Sequence, residues 1–306
     1  MNPRVMAYLQ LLRLPTVFTA LADIFLGFLV THSTLLSEDG LNPLPEFLKL
    51  CAASAGLYLS GMVFNDYFDR MIDAQERPNR PIPSGAISPA TAFRLAAALM
   101  LVGLVAAGSV GLPSLLVAVA LCVLVLGYDG GLKKTPLGPL VMGSCRVGNV
   151  LLGASAVASR GDVFQLPQLP IALGLGTYIV GVTLFARQEA TVSRRGALLG
   201  AAVVINLGVV ALAMLVNKSA TVLPDHRLPA LGILAMILFT LDRRLAVAIT
   251  QPTPAVVQVA IKVLLLSLVV LDATLIYAFN GNTDLAMATV ALLIPAIGLS
   301  RLIAMT

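Results

Sequence analysis

The chain has 306 residues, 58% of them hydrophobic and only 11% charged, with a mean hydropathy of +0.94. So few polar residues exclude a water-soluble globular protein and indicate an integral membrane protein. The net charge of +5 needs no nucleic-acid partner, since basic loops gathered on one side of a membrane, with some attraction to anionic membrane lipid, account for it.

Apolar stretches of membrane-crossing length recur at roughly 14–34, 46–68, 90–110, 113–128, 137–158, 170–187, 196–216, 228–248, 256–279 and 285–303. They leave no room for a separate soluble domain, so residues 1–306 read as one all-α transmembrane domain. The first stretch follows Arg4 and Arg13, is long and lacks a small-residue cleavage site. It reads as a retained helix and not a signal peptide. It carries Asp23, and the ninth stretch carries Asp272. Each intramembrane carboxylate either binds an acceptor hydroxyl or pairs with Arg13, Arg146 or Lys262, and pairing is the weightier reading.

The second stretch ends in FNDYFDRMIDAQERPNRPIPSG. At about 100° per residue, Asn65, Asp66, Asp69 and Asp73 fall at roughly 0, 100, 40 and 80°, one polar arc on a helix. Tyr67, Phe68, Met71 and Ile72 fill the other side. Three carboxylates this close repel one another, so a cation must offset them. Hard oxygen donors indicate Mg²⁺, which commonly completes its shell with substrate phosphate. The competing reading is a solvated acidic helix end.

A cytoplasmic loop near 69–90 follows, with Pro78, Pro81, Pro83, Gly85 and Pro89. These residues stop the helix near Glu76 or Arg77, and Ser88 is placed to cap the next helix with Pro89 at its first position. Arg77 and Arg80, held in this stiff loop, either neutralise the acids or clamp a diphosphate. The fourth stretch ends in Tyr128-Asp129-Gly130-Gly131-Leu132-Lys133-Lys134, and the fifth contains Arg146 and Asn149, at a depth that reaches the same polar chamber. After the sixth comes a second loop near 187–195, where Arg187 and Glu189 precede Arg194 and Arg195. Its lone glutamate is thin ground for a second metal ligand.

Cys51, Cys122 and Cys145 show no metal-ligand spacing and read as small buried hydrophobes. His32 and His226 lie away from the acids and are not candidate bases. Most basic residues fall on the side of the acidic face, so the positive-inside rule puts that face and the amino terminus in the cytosol, in a membrane of bacterial type.

The run N65-D66-x-x-D69-x-x-x-D73 with E76-R77-P78-N79-R80-P81-I82-P83-S84-G85-A86-I87-S88 resembles the first aspartate-rich motif and loop of the UbiA superfamily of intramembrane prenyltransferases. The Arg-Leu-Pro near the first span and the tyrosine followed by lysine after the fourth resemble further family features. GMVFNDYFDRMIDAQERPNRPIPSG, LGPLVMGSCRVGNVLLGAS and the turn ARQEA resemble the EboC-type branch. The resemblance implies about nine transmembrane helices around a central cavity, roofed by two acid-bearing loops. It implies that Asn65, Asp66, Asp69 and Asp73 hold Mg²⁺ on a polyprenyl diphosphate, and that Arg77, Arg80, Lys133, Lys134, Arg146, Asn149 and Arg187 bind its oxygens. Asp66, Asp69 and Asp73 then act in catalysis with Tyr128, which steadies the allyl cation through its ring or assists the leaving group by hydrogen bonding, and Glu189, a ligand or base. The acceptor is a small lipophilic or aromatic compound; binding or transport without turnover is the alternative. The turn Arg187-Gln188-Glu189 departs from the family's second aspartate cluster, and a tenth span exceeds its usual number.

Overall fold

The computed structural model describes residues 3–32, 34–35, 43–157, 160–165, 167–187, 189 and 192–301. The helices in chain order are α1 (Pro3–Leu12), α2 (Val17–Thr31), α3 (Leu44–Glu76), α4 (Pro89–Gly108), α5 (Leu112–Gly130) and α6 (Gly138–Gly153). There follow α7 (Gln168–Ala186), α8 (Arg195–Lys218), α9 (Pro224–Thr250), α10 (Pro254–Asn280), α11 (Thr283–Ala291) and α12 (Leu293–Ser300). No strand occurs among the described residues. The protein is an all-helical integral membrane protein, and each of the ten apolar stretches coincides with a helix or a closely joined pair. Eight segments among the described residues are long and apolar enough to cross a membrane. Of the others, α6 is only 16 residues long, and α9 carries Asp225 and Arg227 in its first turn and Asp242, Arg243 and Arg244 further along. The last stretch is broken at Leu292 into α11 and α12.

Helix α2 lies innermost, packed against α3, α6 and α10, and Asp23, Ile24, Leu26 and Phe28 on it have no exposure. On one side its Leu26 and Leu29 join a large apolar core from α6 to α10. On the other, Ile24 and Phe28 meet Phe47, Leu50 and Leu57 of α3. The outer surface is greasy: Leu101, Val105, Val123, Leu207, Met214, Met236 and Phe239 all face outward, as lipid contact requires.

Where α2 crosses α6 the backbones touch. A Cβ on Gly27 would lie 2.1 Å from the Val150 carbonyl oxygen, and one on Gly153 would lie 2.7 Å from that of Ile24. Glycine removes the side chain that would hold the helices apart.

Helix α3 runs unbroken for 33 residues, about 50 Å at 1.5 Å per residue. It therefore outreaches an apolar layer of about 30 Å and carries its acids at its last three turns. It stops at Glu76, as the prolines predict. The loop after it is folded tightly: Arg80 N–H donates to the Arg77 carbonyl, Ile87 N–H to that of Pro81, and Gly85 turns the chain at φ 77°. Ile82 and Ile87 anchor the loop in a small core with Ala7, Leu11, Val63 and Phe64. Ser88 then caps α4, its Oγ accepting the Thr91 N–H at 3.2 Å, with Pro89 leading the helix.

Candidate active site

The acid-bearing face of α3 points inward. Asp66 and Asp73 are buried, Asn65 and Asp69 half-buried, while Phe68, Met71 and Ile72 face outward, in agreement with the helical spacing. Each acid meets a cation from another part of the chain. Arg13 Nη2 donates to Asp66 Oδ1 at 2.8 Å, and Arg80 Nη1 donates to Asp73 Oδ2 at 2.7 Å and to Asp66 Oδ1 at 3.3 Å. Lys133 Nζ donates to Asp69 Oδ2 at 2.7 Å. Asn65 Nδ2 donates to Asp129 Oδ1, also at 2.8 Å.

Local structure explains each placement. Arg13 sits between α1 and the turn Leu14–Thr16 with φ 45°, a left-handed backbone that costs an L residue energy. Its side chain is thereby turned onto Asp66. Arg80 is fixed by the proline loop. Lys133 belongs to a short 3₁₀ turn, Leu132–Lys134, behind Gly131, and lies one helical turn from Asp129, whose Oδ1 is 3.9 Å from its Nζ.

Among the described residues, no three His, Cys, Asp or Glu side chains gather around one point as a metal site. The expected cluster of Asn65, Asp66, Asp69 and Asp73 is spread over protein cations, because buried carboxylates take whatever positive charge is within reach. The donor chemistry nonetheless fits Mg²⁺: the inward face offers carboxylates and one amide, hard oxygen donors.

Two residues expected at the diphosphate are engaged elsewhere. Arg146 Nη1 donates to Asp23 Oδ2 and, at 3.0 Å, to the Thr19 carbonyl. Asn149 Nδ2 donates to Asp23 Oδ2 at 2.7 Å and to the Ala20 carbonyl, while its Oδ1 accepts Ser54 Oγ–H at 2.7 Å. Asp272 of α10 adjoins Asp23, with both oxygens buried. The expected pairing of Asp23 thus holds, but it removes Arg146 and Asn149 from the acid face. A fully buried carboxylate requires an ionic partner more than the site requires another cation.

The remaining residues line the rim. Arg77, Lys134 and Arg187 are exposed, and Arg187 Nη2 donates to the Thr135 carbonyl at 3.3 Å, tying the second loop to the turn after α5. Tyr128 is half-buried beside Asp129. Glu189 is half-buried; burial raises its carboxyl above the ordinary range, and Arg77, Arg13 and Arg80 pull it back. The fields of those three cations join the second loop electrostatically to the first. Gln188 lies outside the described residues. A groove of 400 Å³ opens beside this loop, lined by Leu184, Phe185, Arg187, Ser193 and Ala197.

Arg13 and Asp129 were not among the residues expected in the site. Arg13 had a signal, an arginine before Leu-Pro at a membrane entry. Asp129 had one too, four residues before Lys133, where an i,i+4 pair faces one side of a turn.

The profile of the UbiA prenyltransferase family matches residues 25–241. The chain belongs to the UbiA prenyltransferase family. Curated relatives are digeranylgeranylglyceryl phosphate synthases: that of Methanopyrus kandleri is 36% identical over 50% of this chain and 54% of its own, and that of Methanothrix thermoacetophila 32% identical over 52% and 57%. The chain thus spans about half the length of the curated relatives it matches. Among solved structures, one reported for digeranylgeranylglyceryl phosphate synthase aligns with 96% of this chain and 99% of its own, at TM-score 0.59 and 20% identity. A UbiA homologue from Archaeoglobus fulgidus bound to GPP and Mg²⁺ aligns at TM-score 0.58 and 14% identity, over 84% and 98% of the two chains. At these identities the structures establish a shared UbiA fold.

Proposed function

We propose that this protein is a Mg²⁺-dependent intramembrane prenyltransferase that moves a polyprenyl group from a polyprenyl diphosphate to a lipophilic acceptor. Residues 1–306 act as one domain, with the site loops on the cytosolic side of the membrane. The observation that carries the reading is the interleaving of carboxylates and cations at the end of α3. Asp66, Asp69 and Asp73 are matched by Arg13, Arg80 and Lys133, each within 2.8 Å of one of them. A metal diphosphate supplies what both sets lack alone: cationic charge for the acids, anionic oxygens for the arginines and lysine.

Arg80 and Lys133 turn from the acids to the diphosphate oxygens, with Arg77 joining from the loop and Lys134 and Arg187 from the rim. Mg²⁺ held by Asn65, Asp66, Asp69 and Asp73 would offset the negative charge that grows on the leaving diphosphate. The allylic C–O bond breaks, and a carbon or oxygen of the acceptor bonds to the allylic carbon. The acceptor's proton passes to Glu189 or to the diphosphate. The Tyr128 ring steadies the cationic carbon, and the apolar wall keeps water from intercepting it. The names of the relatives put an isoprenoid glyceryl phosphate first among acceptors to assay and an aromatic acceptor second. Within the family, the motif strings favour an EboC-type branch, though the relatives compared bear a different name.

The test is pyrophosphate release from a panel of polyprenyl diphosphates by purified protein with Mg²⁺ and each acceptor class. Release that is lost on chelation and in Asp66→Ala and Asp73→Ala supports the transferase. Tight Mg²⁺-dependent binding of the diphosphate without release, across all acceptors, sinks it in favour of a binding or transport protein.

A further inference from the structure

Asp129 is the penultimate residue of α5 and is only 5% exposed. Its Oδ1 accepts Asn65 Nδ2–H at 2.8 Å. The amide nitrogen is the atom in contact, so the Asn65 side chain turns its NH₂ group toward Asp129. The amide oxygen then lies on the opposite arm, away from Asp129. The same Asp129 Oδ1 lies 3.9 Å from Lys133 Nζ, the partner of Asp69. Asp129 is thus in contact with two residues of the site while standing on a different helix from the acids.

We propose that Asp129 is a positioning residue that locks the Asn65 amide so that its oxygen, and not its NH₂ group, is presented to a divalent cation held by Asp66, Asp69 and Asp73. The inference rests on the Mg²⁺ reading above and assigns a role to a residue outside that ligand set. An unrestrained amide spends part of its time with NH₂ toward the metal, where its positive hydrogens repel the cation; Asp129 removes that half of the rotation. Hydrogen-bond partners standing behind metal ligands typically weigh about 10–100-fold in metal affinity.

Mn²⁺ serves as the probe, its binding to the full chain in detergent followed by electron paramagnetic resonance without substrate or turnover. Asp129→Ala is expected to weaken Mn²⁺ by about tenfold or more. Asp129→Asn, whose amide oxygen still accepts from Asn65, is expected to recover most of the loss. In an Asn65→Ala background, Asp129→Ala is expected to add nothing, because the group it acts through is gone. Gel filtration checks folding, and Asp129→Ser takes the place of the alanine variant if the latter aggregates. Equal Mn²⁺ affinity in native protein and Asp129→Ala overturns the inference alone, as does an undiminished loss in the Asn65→Ala background. A native chain that binds no Mn²⁺, either alone or with inorganic pyrophosphate to draw Arg80 and Lys133 from the acids, overturns the metal reading itself, and this inference with it.

Discussion

Arg146 offers its guanidinium to Asp23, with 9% and 0% of the two side chains exposed. At that depth neither charge finds water, so each depends on the other. Arg146→Met is expected to cost about 3–5 kcal/mol, the usual result of leaving one member of a buried pair alone. Asp23→Asn in the same chain should restore part of it; thermal unfolding in detergent measures both. Glu189 gives a prediction of opposite character, because burial raises its carboxyl more than Arg77, Arg13 and Arg80 lower it. Its carboxyl is raised on folding, so the folded chain holds that proton more tightly than the unfolded chain. The associated stability is full below the ordinary glutamate value and lost as pH rises through the raised one. Glu189→Gln has no such loss, so melting curves of the two proteins should diverge in favour of the variant as pH increases across that interval. Much of the site was legible at this scale. The spacing of Asn65, Asp66, Asp69 and Asp73 gave their common face, and the prolines gave the position of Arg80. What could not be read was competition: Arg146 lies within reach of two polar groups in any one-dimensional reading, and only packing shows that Asp23 claims it.

Among the helices, the α2–α6 crossing governs which polar groups meet. Gly27 and Gly153 let the backbones come within contact distance, and that approach sets Asp23 beside Arg146 and Asn149. Gly27→Ala must push α6 away from α2 and is expected to cost about 1–3 kcal/mol through overpacking, beyond any gain in helix propensity. Gly232→Ala in α9, where nothing lies within 4 Å of the added Cβ, is the control and should stabilise slightly. Calorimetry or dye-based melting of the two variants makes the comparison. Helix limits were legible wherever local chemistry sets them, as at Ser88 and Glu76. The crossing was not, because small residues recur along the whole chain and sequence does not say which two of them will face each other.

For the whole molecule, the distribution of basic residues carries the orientation. Lys134 and Lys218 are both exposed and lie at opposite ends of the bundle, after α5 and at the end of α8. In a background lacking Cys51, Cys122 and Cys145, Lys218→Cys is expected to react with a membrane-impermeant maleimide on intact cells. Lys134→Cys should react only after permeabilisation. The reverse pattern would place the acids outside the cytosol. Fold class was the most legible property of all, since hydropathy alone marks nearly every helix. The break at Leu292 was not, for the residues on either side are equally apolar.

The continuity of α3 has one more consequence. Its membrane-buried half, held through Phe47, Leu50 and Leu57 against Ile24 and Phe28 of α2, and its acidic end share a single rotational phase, with no joint between them to absorb an error. One residue inserted between Ser60 and Asn65 would swing the acids through about 100°, toward the lipid, while seven would return them to within about 20° but carry them about 10 Å further out. The chain thus keeps its chemistry in register as a crankshaft keeps its timing, and length changes in this helix are tolerated only where they preserve both angle and height.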